Sequence, residues 1–182
     1  MRAVATVFVF LIALTGMAGA AGVTGQPVDA AAAAKIISQY RASHGLPPVK
    51  IEPRLMKIAS THAQRMASSD RLEHVLPGEG SFPQRINSGG YQASVAAENI
   101  GAGYDTLSEA IRAWEESPAH NANLLQRNVT EIGIAIYSTP VGAYHTYWAL
   151  VLAHPAASPE AASGGGPGGG ITIGPFGFFF GG

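Results

Sequence analysis

The chain has 182 residues, of which 13% are charged, with 11 Lys and Arg against 12 Asp and Glu. A domain usually needs about 100 to 200 residues, so this length predicts one domain. The sparse and nearly balanced charge excludes the basic face that binds nucleic acid. The chain has no cysteine, so core burial and secondary structure must stabilise it without disulfides.

The N-terminus has the layout of a secretion signal. Residues 1–2 supply a positive charge, residues 3–14 are apolar, and residues 18–20 are small. We predict a signal peptide over residues 1–20 with cleavage after Ala20, because the apolar run is too short to span a bilayer and no charge cluster follows it. An uncleaved anchor is the alternative.

Two helices are predicted in the first half of the mature chain. Asp29 is a suitable N-cap for a helix that runs through Tyr40 and ends near Gly45. Pro53 suits the first position of a second helix, whose apolar residues recur at steps of three and four and predict one buried face. We interpret His62, on that face, as a hydrogen-bonded core residue. The residues of this face are Leu55, Ile58, Ala59, His62, Ala63, Met66 and Ala67.

Two further helices follow a long connection. Residues 76–104 are rich in Gly, Pro, Asn and Ser without sustained periodicity, which predicts a partly ordered connection. Thr106 and Glu109 form a capping box for a third helix, in which Trp114 is a core anchor. Ser117 and the proline after it start a short fourth helix.

Two strands are predicted near the end of the domain. Residues 132–136 alternate apolar and small side chains, and residues 144–153 are rich in aromatic and branched ones. A loop at 138–143 would join them as a hairpin. Helices followed by strands, without alternating strand–helix units, favour an α+β fold in which helices cover an antiparallel sheet. We assign this domain to residues 28–155.

A glycine-rich tail occupies residues 156–182. Ten of the nineteen residues from Gly164 to Gly182 are glycine, a composition that predicts a flexible segment. Four phenylalanines nevertheless lie near its end, and clustered exposed apolar residues often mark a contact with a membrane, surface or partner. These are Phe176, Phe178, Phe179 and Phe180.

Three polar residues carry groups that can accept a proton or bind a metal. His74 follows the second helix, and Glu98 lies among apolar neighbours that could partly bury it. His120 is the third residue of the fourth helix, where the positive helix end disfavours its protonated form. Each alone has a plainer interpretation as a cap, a surface group or a hydrogen-bonded residue.

The order and spacing of these and other residues carry a family resemblance. The residues are Tyr40, Arg41 and His44 to Pro48, then Leu55, Ala59, His62, Ala63, Met66 and His74, then Glu98 to Ile100, then Trp114, Ser117, Pro118, His120, Asn123 and Leu124, and finally Ile132, Gly133, Tyr147 and Trp148. From about Ala33 to Leu152 the chain resembles the superfamily of cysteine-rich secretory proteins, antigen 5 and plant pathogenesis-related proteins, called the CAP or SCP domain. The bacterial branch is more similar than the others.

The resemblance implies an α/β/α sandwich, with helices on both sides of a small antiparallel sheet. It also implies that His74, Glu98 and His120 converge in a cleft, where some members hold a divalent metal such as zinc. The bacterial branch implies secretion to the periplasm, the cell wall or the medium.

The chain departs from the family at two places. Members from animals and plants carry a second acid three residues after the tryptophan, but here that residue is Ser117, preceded by Glu115 and Glu116. Either acid is a candidate for the fourth residue of the cleft. The cysteine-flanked signature of those members is absent, so their activities are not transferred to this chain.

Three functions are compatible with these residues. The leading hypothesis is a monomeric, non-enzymatic binding module that presents its cleft to an envelope component, a lipid or a protein, because no G-x-S-x-G motif or cysteine supplies a nucleophile. The alternative is a hydrolase in which a metal held by His74, Glu98 and His120 polarises water, or in which Glu98 beside a histidine acts as a base. The third is a purely structural or stress-related envelope protein, in which the cleft residues only stabilise the fold.

Overall fold

The computed structural model describes residues 22–157 and the backbone of residues 177–180. The predicted signal peptide lies outside the described residues. The helices are α1 (Ala30–Ser43), α2 (Pro53–Ser69), α3 (Phe82–Ser88), α4 (Leu107–Glu116) and α5 (Pro118–Leu124). The strands are β1 (Thr24–Gln26), β2 (Lys50–Ile51), β3 (Ala93–Ala102), β4 (Glu131–Ser138), β5 (Thr146–Pro155) and β6 (Gly177–Phe180). None of the helices within the described residues is long and apolar enough to cross a membrane.

The predicted helix starts are confirmed by their caps. The Asp29 side chain accepts a hydrogen bond from the backbone N–H of Ala32 at 2.9 Å, and Pro53 is the first residue of α2. Thr106 and Glu109 form the expected capping box at the start of α4. These local signals need no tertiary contact, which is why the sequence predicts them.

The strands form one sheet in the order β1-β4-β5-β3-β6, with β2 added beside β4. The predicted hairpin is confirmed, because β4 and β5 pair antiparallel from Glu131–Ala153 to Ser138–Thr146. β3 pairs antiparallel with the other side of β5. The two parallel pairs, β2 with β4 and β6 with β3, lie outside this antiparallel centre.

Helices cover both faces of the sheet. Ala149 and Val151 of β5 pack into a core with α2 and α3, whereas Leu150 and Leu152 pack into a second core with α1, α4 and α5. Successive residues of a strand point to opposite faces, so a strand buried on both faces is apolar throughout. This arrangement confirms the α+β class and the α/β/α sandwich.

The connection predicted over residues 76–104 differs from the structure, which contains α3 and the ten-residue strand β3 there. Helix α3 begins with a capping box between Ser81 and Gln84, and Pro83 lies in its first turn. Most of β3 consists of small or polar residues, which lack the alternation that marks a strand. Its position beside β5 and between the two helical layers is decided by tertiary contacts.

Gly133 of β4 fixes how closely α2 lies on the sheet. A Cβ at this position would come within 2.1 Å of the backbone carbonyl carbon of Leu55 and 2.2 Å of the backbone nitrogen of Met56. Only glycine permits this approach. The close contact brings the buried face of α2, including His62, directly against the strands.

The tail also differs in part from its prediction as a flexible segment. Gly177–Phe180 form β6, which pairs with the outer edge of β3. Unpaired backbone groups at a sheet edge accept an added strand, and aromatic residues favour the extended conformation. Residues 158–176, including Phe176, lie outside the described part of the chain.

Candidate functional site

The candidate site is built around Glu98 of β3, whose side chain is completely buried. Arg85 of α3 binds the carboxylate through two hydrogen bonds of 2.8 Å. Its Nη1 donates to Oε2, and its Nη2 donates to Oε1. The Nδ1 of His74 lies 2.9 Å from Oε1. Burial raises the pKa of Glu98, but the hydrogen bonds from His74 and Arg85 outweigh it and lower this pKa to about 2. Glu98 is therefore a carboxylate held in its charged form.

His74 lies in the loop between α2 and α3 and is positioned by Arg85. The Nη2 of Arg85 donates to the backbone carbonyl of His74 at 2.9 Å while the same guanidinium binds Glu98. One buried cation thus holds the loop against the strand. The His74 side chain is 18% exposed, whereas that of Glu98 is fully buried, so His74 forms the solvent-facing side of the pair.

Three further residues of this cluster are not predicted as site residues. The Nδ1 of His62 lies 2.9 Å from both carboxylate oxygens of Glu79, and its Nε2 lies 3.8 Å from Oε1 of Glu98. Burial lowers the pKa of His62, which favours a neutral ring. Arg85 lies 3.9 Å from Glu79 through its Nε. The apolar face of α2 marks His62 as buried, but no sequence pattern connects Glu79 or Arg85 to Glu98.

His120 is held near the same strand from the other side. Its Nδ1 lies 2.9 Å from the hydroxyl of Ser117. The side chain of Asn99 donates to the His120 backbone carbonyl at 3.0 Å. Asn123 donates to the Asn99 side chain at 2.8 Å and to the backbone carbonyl of Glu98 at 3.2 Å. Because side chains alternate along β3, Asn99 and α5 lie on the sheet face opposite the Glu98 carboxylate.

The structure therefore brings His74 and Glu98 into direct contact and fixes the backbone of His120 against Asn99, the next residue of β3. The expectation that all three side chains converge in one cleft stays a prediction. The structure also shows that hydrogen bonds from two asparagine side chains hold α5 against β3.

Glu115 and Glu116 lie at the end of α4. Glu115 is half-buried and Glu116 is exposed. Burial raises the pKa of Glu115, and the charge of Glu116 raises it further, while His44 lowers it. The hydrogen bonds that hold Glu98 come from His74 and Arg85 instead. The place of either acid in the cleft stays a prediction.

The contacts of Glu98 do not suit a metal ligand. Both oxygens of Glu98 accept hydrogen bonds from Arg85, and a cation at this carboxylate would lie beside a buried guanidinium. Within the described residues, no three His, Asp or Glu side chains are grouped so that they could hold a metal ion. The arrangement gives no support to the predicted set of His74, Glu98 and His120 as zinc ligands.

We expect acid to destabilise the protein through Glu98. Its pKa is about 2 in the folded state against 4.5 for an ordinary Glu, so the unfolded chain binds the proton first as pH falls. The stabilisation is complete above pH 4.5 and is lost progressively toward pH 2, by at most about 3 kcal/mol. Urea unfolding at pH values from 7 to 2.5 measures this loss.

The matched variants for this experiment are Glu98→Gln and Glu73→Gln, because Glu73 is exposed. Glu98→Gln should flatten the loss of stability below pH 4.5, and Glu73→Gln should not. If wild type and Glu98→Gln lost the same free energy of unfolding as the pH falls, the ionised Glu98 would contribute nothing to stability.

Comparison with known proteins places this chain in a family. The family model described as "Cysteine-rich secretory protein family" (CAP) matches residues 35–152. The uncharacterized protein YkwD of Bacillus subtilis is 35% identical over 100 residues, which cover 55% of this chain and 39% of that protein.

Two solved structures share the fold. An extracellular protein containing an SCP domain from Bacillus anthracis aligns with a TM-score of 0.60 at 23% identity, over 68% of this chain and 39% of that one. An outer surface protein from Borrelia burgdorferi aligns with a TM-score of 0.62 at 22% identity, over 73% of this chain and all of that one. The chain spans about two fifths of the Bacillus proteins it matches.

The matched region runs from α1 into β5 and contains His74, Glu98 and His120. The matched region covers more than half of the chain. The fold that it implies is the α/β/α sandwich described above. This protein, although it has no cysteine, therefore belongs to the cysteine-rich secretory protein (CAP) family.

Proposed function

We propose that this chain is a secreted CAP domain that works by binding rather than by catalysis, presenting its His74–Glu98 cleft to an envelope component, a lipid or a protein. The observation that carries this proposal is the state of the Glu98 carboxylate. It is fully buried, and both of its oxygens are engaged by Arg85. A carboxylate held in this way orders the walls of a cleft.

The hydrolase alternative needs a group that this arrangement does not supply. A general base must accept a proton, but Glu98 has a pKa of about 2 and binds protons only in strong acid. A metal-assisted reaction needs free ligand atoms and an open position, and Arg85 takes the carboxylate oxygens. The sequence contains neither a cysteine nor a G-x-S-x-G serine as an independent nucleophile.

Secretion is supported by two independent features. Residues 1–20 have the charge and apolar pattern of a signal peptide. The structures of similar fold include proteins described as extracellular and as outer surface. The proposed site of action is the cell envelope or the medium.

The test measures binding and hydrolysis on one preparation of the chain from Ala21 onward. Binding is measured by co-sedimentation with phosphatidylethanolamine–phosphatidylglycerol vesicles and with isolated cell-wall sacculi. Hydrolysis of 4-nitrophenyl acetate is followed with and without added Zn²⁺. We expect sedimentation with at least one of the two materials, and hydrolysis at the rate of the buffer.

The double variant His74→Ala/His120→Ala should reduce sedimentation at least threefold. His44→Ala is the matched control, because His44 is exposed and lies outside the pair with Glu98. Zn²⁺-dependent hydrolysis that the double variant loses would overturn the proposal in favour of an enzyme. Loss of thermal stability with unchanged sedimentation would overturn it in favour of a purely structural role.

A further inference from the structure

We propose that the outer edge of β3 is a binding surface for an extended polypeptide strand, and that β6 is a replaceable occupant of that surface. We call residues Val95–Glu98 the β3 edge. This inference rests on the proposed binding function and deepens it, because it names the ligand class as a peptide segment that adds a strand to the sheet.

The β3 edge is defined by its pairing with β6. The two strands run parallel, with Val95 level with Gly177 and Glu98 level with Phe180. β6 is the last strand of the sheet on this side, so without it β3 would expose a row of unpaired N–H and C=O groups. Such an edge binds extended peptides by main-chain hydrogen bonds, and pockets beside it give selectivity.

The β3 edge lies next to the candidate site. The backbone of β6 lies close to α5 as well as to β3. Helix α5 carries His120, and the β3 edge ends at Glu98. A strand bound between β3 and α5 therefore runs along both elements of the predicted cleft. Binding of a strand at this edge requires neither a metal ion nor a nucleophile.

Asn123 explains why the pairing stops where it does. Its side-chain amide donates to the backbone carbonyl of Glu98 at 3.2 Å, so α5 takes the acceptor that a longer added strand would use. β6 and the β3 edge are both four residues long, and both end at this level. The edge thus pairs with a short extended segment of four residues.

The register pairs alanines of the β3 edge with phenylalanines of β6. Ala96 and Ala97 are level with Phe178 and Phe179 in the register. Aromatic residues are favoured in strands. The partner that fits is a segment of glycine followed by aromatic residues, as in Gly177–Phe180.

The length of the connection to β6 supports replaceable binding. β5 ends at Pro155, which pairs with Ala93, and β6 begins level with Val95, so both ends of the connection lie at the same end of β3. They are separated by two strand spacings, about 10 Å. The 21 residues 156–176 could reach roughly 70 Å when fully extended. β6 can therefore detach from the β3 edge. The connection keeps β6 close, so its effective concentration at the edge stays high.

The first experiment measures hydrogen exchange at the β3 edge in the chain from Ala21 onward. Phe179→Pro removes a backbone donor and cannot continue the pairing, whereas Phe179→Val keeps a strand-forming residue as the matched control. We expect the edge amides that point away from β5 to exchange at least tenfold faster in Phe179→Pro and in a chain ending at Pro175. Wild type and Phe179→Val should stay protected, and amides between β4 and β5 should be unchanged in all four proteins.

The second experiment adds a fluorescein-labelled peptide of residues 174–182. The chain ending at Pro175 should bind it and regain protection at the β3 edge, and wild type should bind it at least tenfold more weakly because β6 already occupies the edge. A peptide with proline at position 179 should not bind. This readout is strand pairing, so it is independent of the vesicle, sacculus and hydrolysis measurements that test the proposed function.

Three results would overturn the inference. Unchanged exchange at the β3 edge after Phe179→Pro would show that β6 does not cover it. Failure of the chain ending at Pro175 to bind the peptide would show that the edge is no peptide site. A dimer in light scattering that requires residues 177–180 would assign β6 to the edge of a second copy.

Discussion

Replacing Arg85 by methionine should destabilise the protein by about 3 to 5 kcal/mol, because it leaves the buried Glu98 carboxylate without its principal counter-charge. Arg85 supplies two hydrogen bonds of 2.8 Å to Glu98 and lies 3.9 Å from Glu79. Methionine has a similar length, so it removes the charge with little change in packing. The measurement is urea unfolding followed by circular dichroism at pH 7.

Two further variants make this prediction specific. Arg112→Met is the matched control, since Arg112 is an exposed residue of α4, and it should change stability by less than about 0.5 kcal/mol. The double variant Arg85→Met/Glu98→Leu should recover part of the loss, because replacing a whole buried ion pair by apolar residues is often neutral. Wild-type stability in Arg85→Met would mean that the folded protein does not depend on this pair.

Replacing Arg41 by methionine should cost about 3 kcal/mol or more. Arg41 is fully buried in α1 and donates hydrogen bonds to four backbone carbonyls. Each of these carbonyls that loses its donor costs about 1 to 3 kcal/mol of stability. The acceptors are the carbonyls of Pro47 at 2.9 Å, Leu124 at 2.7 Å, Gln126 at 2.9 Å and Val129 at 3.1 Å. Differential scanning calorimetry measures the loss.

This variant has a second readout, because Arg41 binds the carbonyl at the end of α5. That helix carries His120 and lies close to β3 and β6. Amide exchange in α5 should therefore rise more than in α4. Arg41→Lys keeps the charge but lacks the planar fork, so an intermediate loss is expected, and the exposed Arg71→Met is the neutral control. Equal stability of Arg41→Met and wild type would contradict the prediction.

These two arginines show how the candidate site is supported. Arg85 joins the loop of His74 to the strand of Glu98, and Arg41 joins α1 to the end of the helix that carries His120. Both are buried cations with several partners each. Through these contacts, the two arginines fix the loop of His74 and helix α5 to the rest of the fold.

The local part of the fold is readable from the sequence. Asp29, Pro53 and the pair Thr106 and Glu109 mark helix starts through contacts within a few residues. The apolar face of α2 follows from its three- and four-residue steps, because a helix must bury such a face. The hairpin of β4 and β5 follows from two apolar runs separated by a short loop.

The strand β3 is the main feature that sequence reasoning missed. Its residues are mostly small or polar, and its burial depends on β5 beside it and on helices above and below. No local pattern encodes those neighbours. The same limit explains why Glu79 and Arg85 were not expected at the site, since they meet His62 and Glu98 only after α3 folds against the sheet.

By itself, the sequence determined the starts of four helices and the α+β class, and its family resemblance predicted that His74 lies near Glu98. It also marked the four phenylalanines of the tail as unusual. Only the tertiary structure decided that the Glu98 carboxylate is saturated by Arg85 and that Gly177–Phe180 pair with the β3 edge. The physical reason is that caps and periodicity depend on neighbours in the chain, whereas charge pairing and strand addition depend on residues brought together from distant positions.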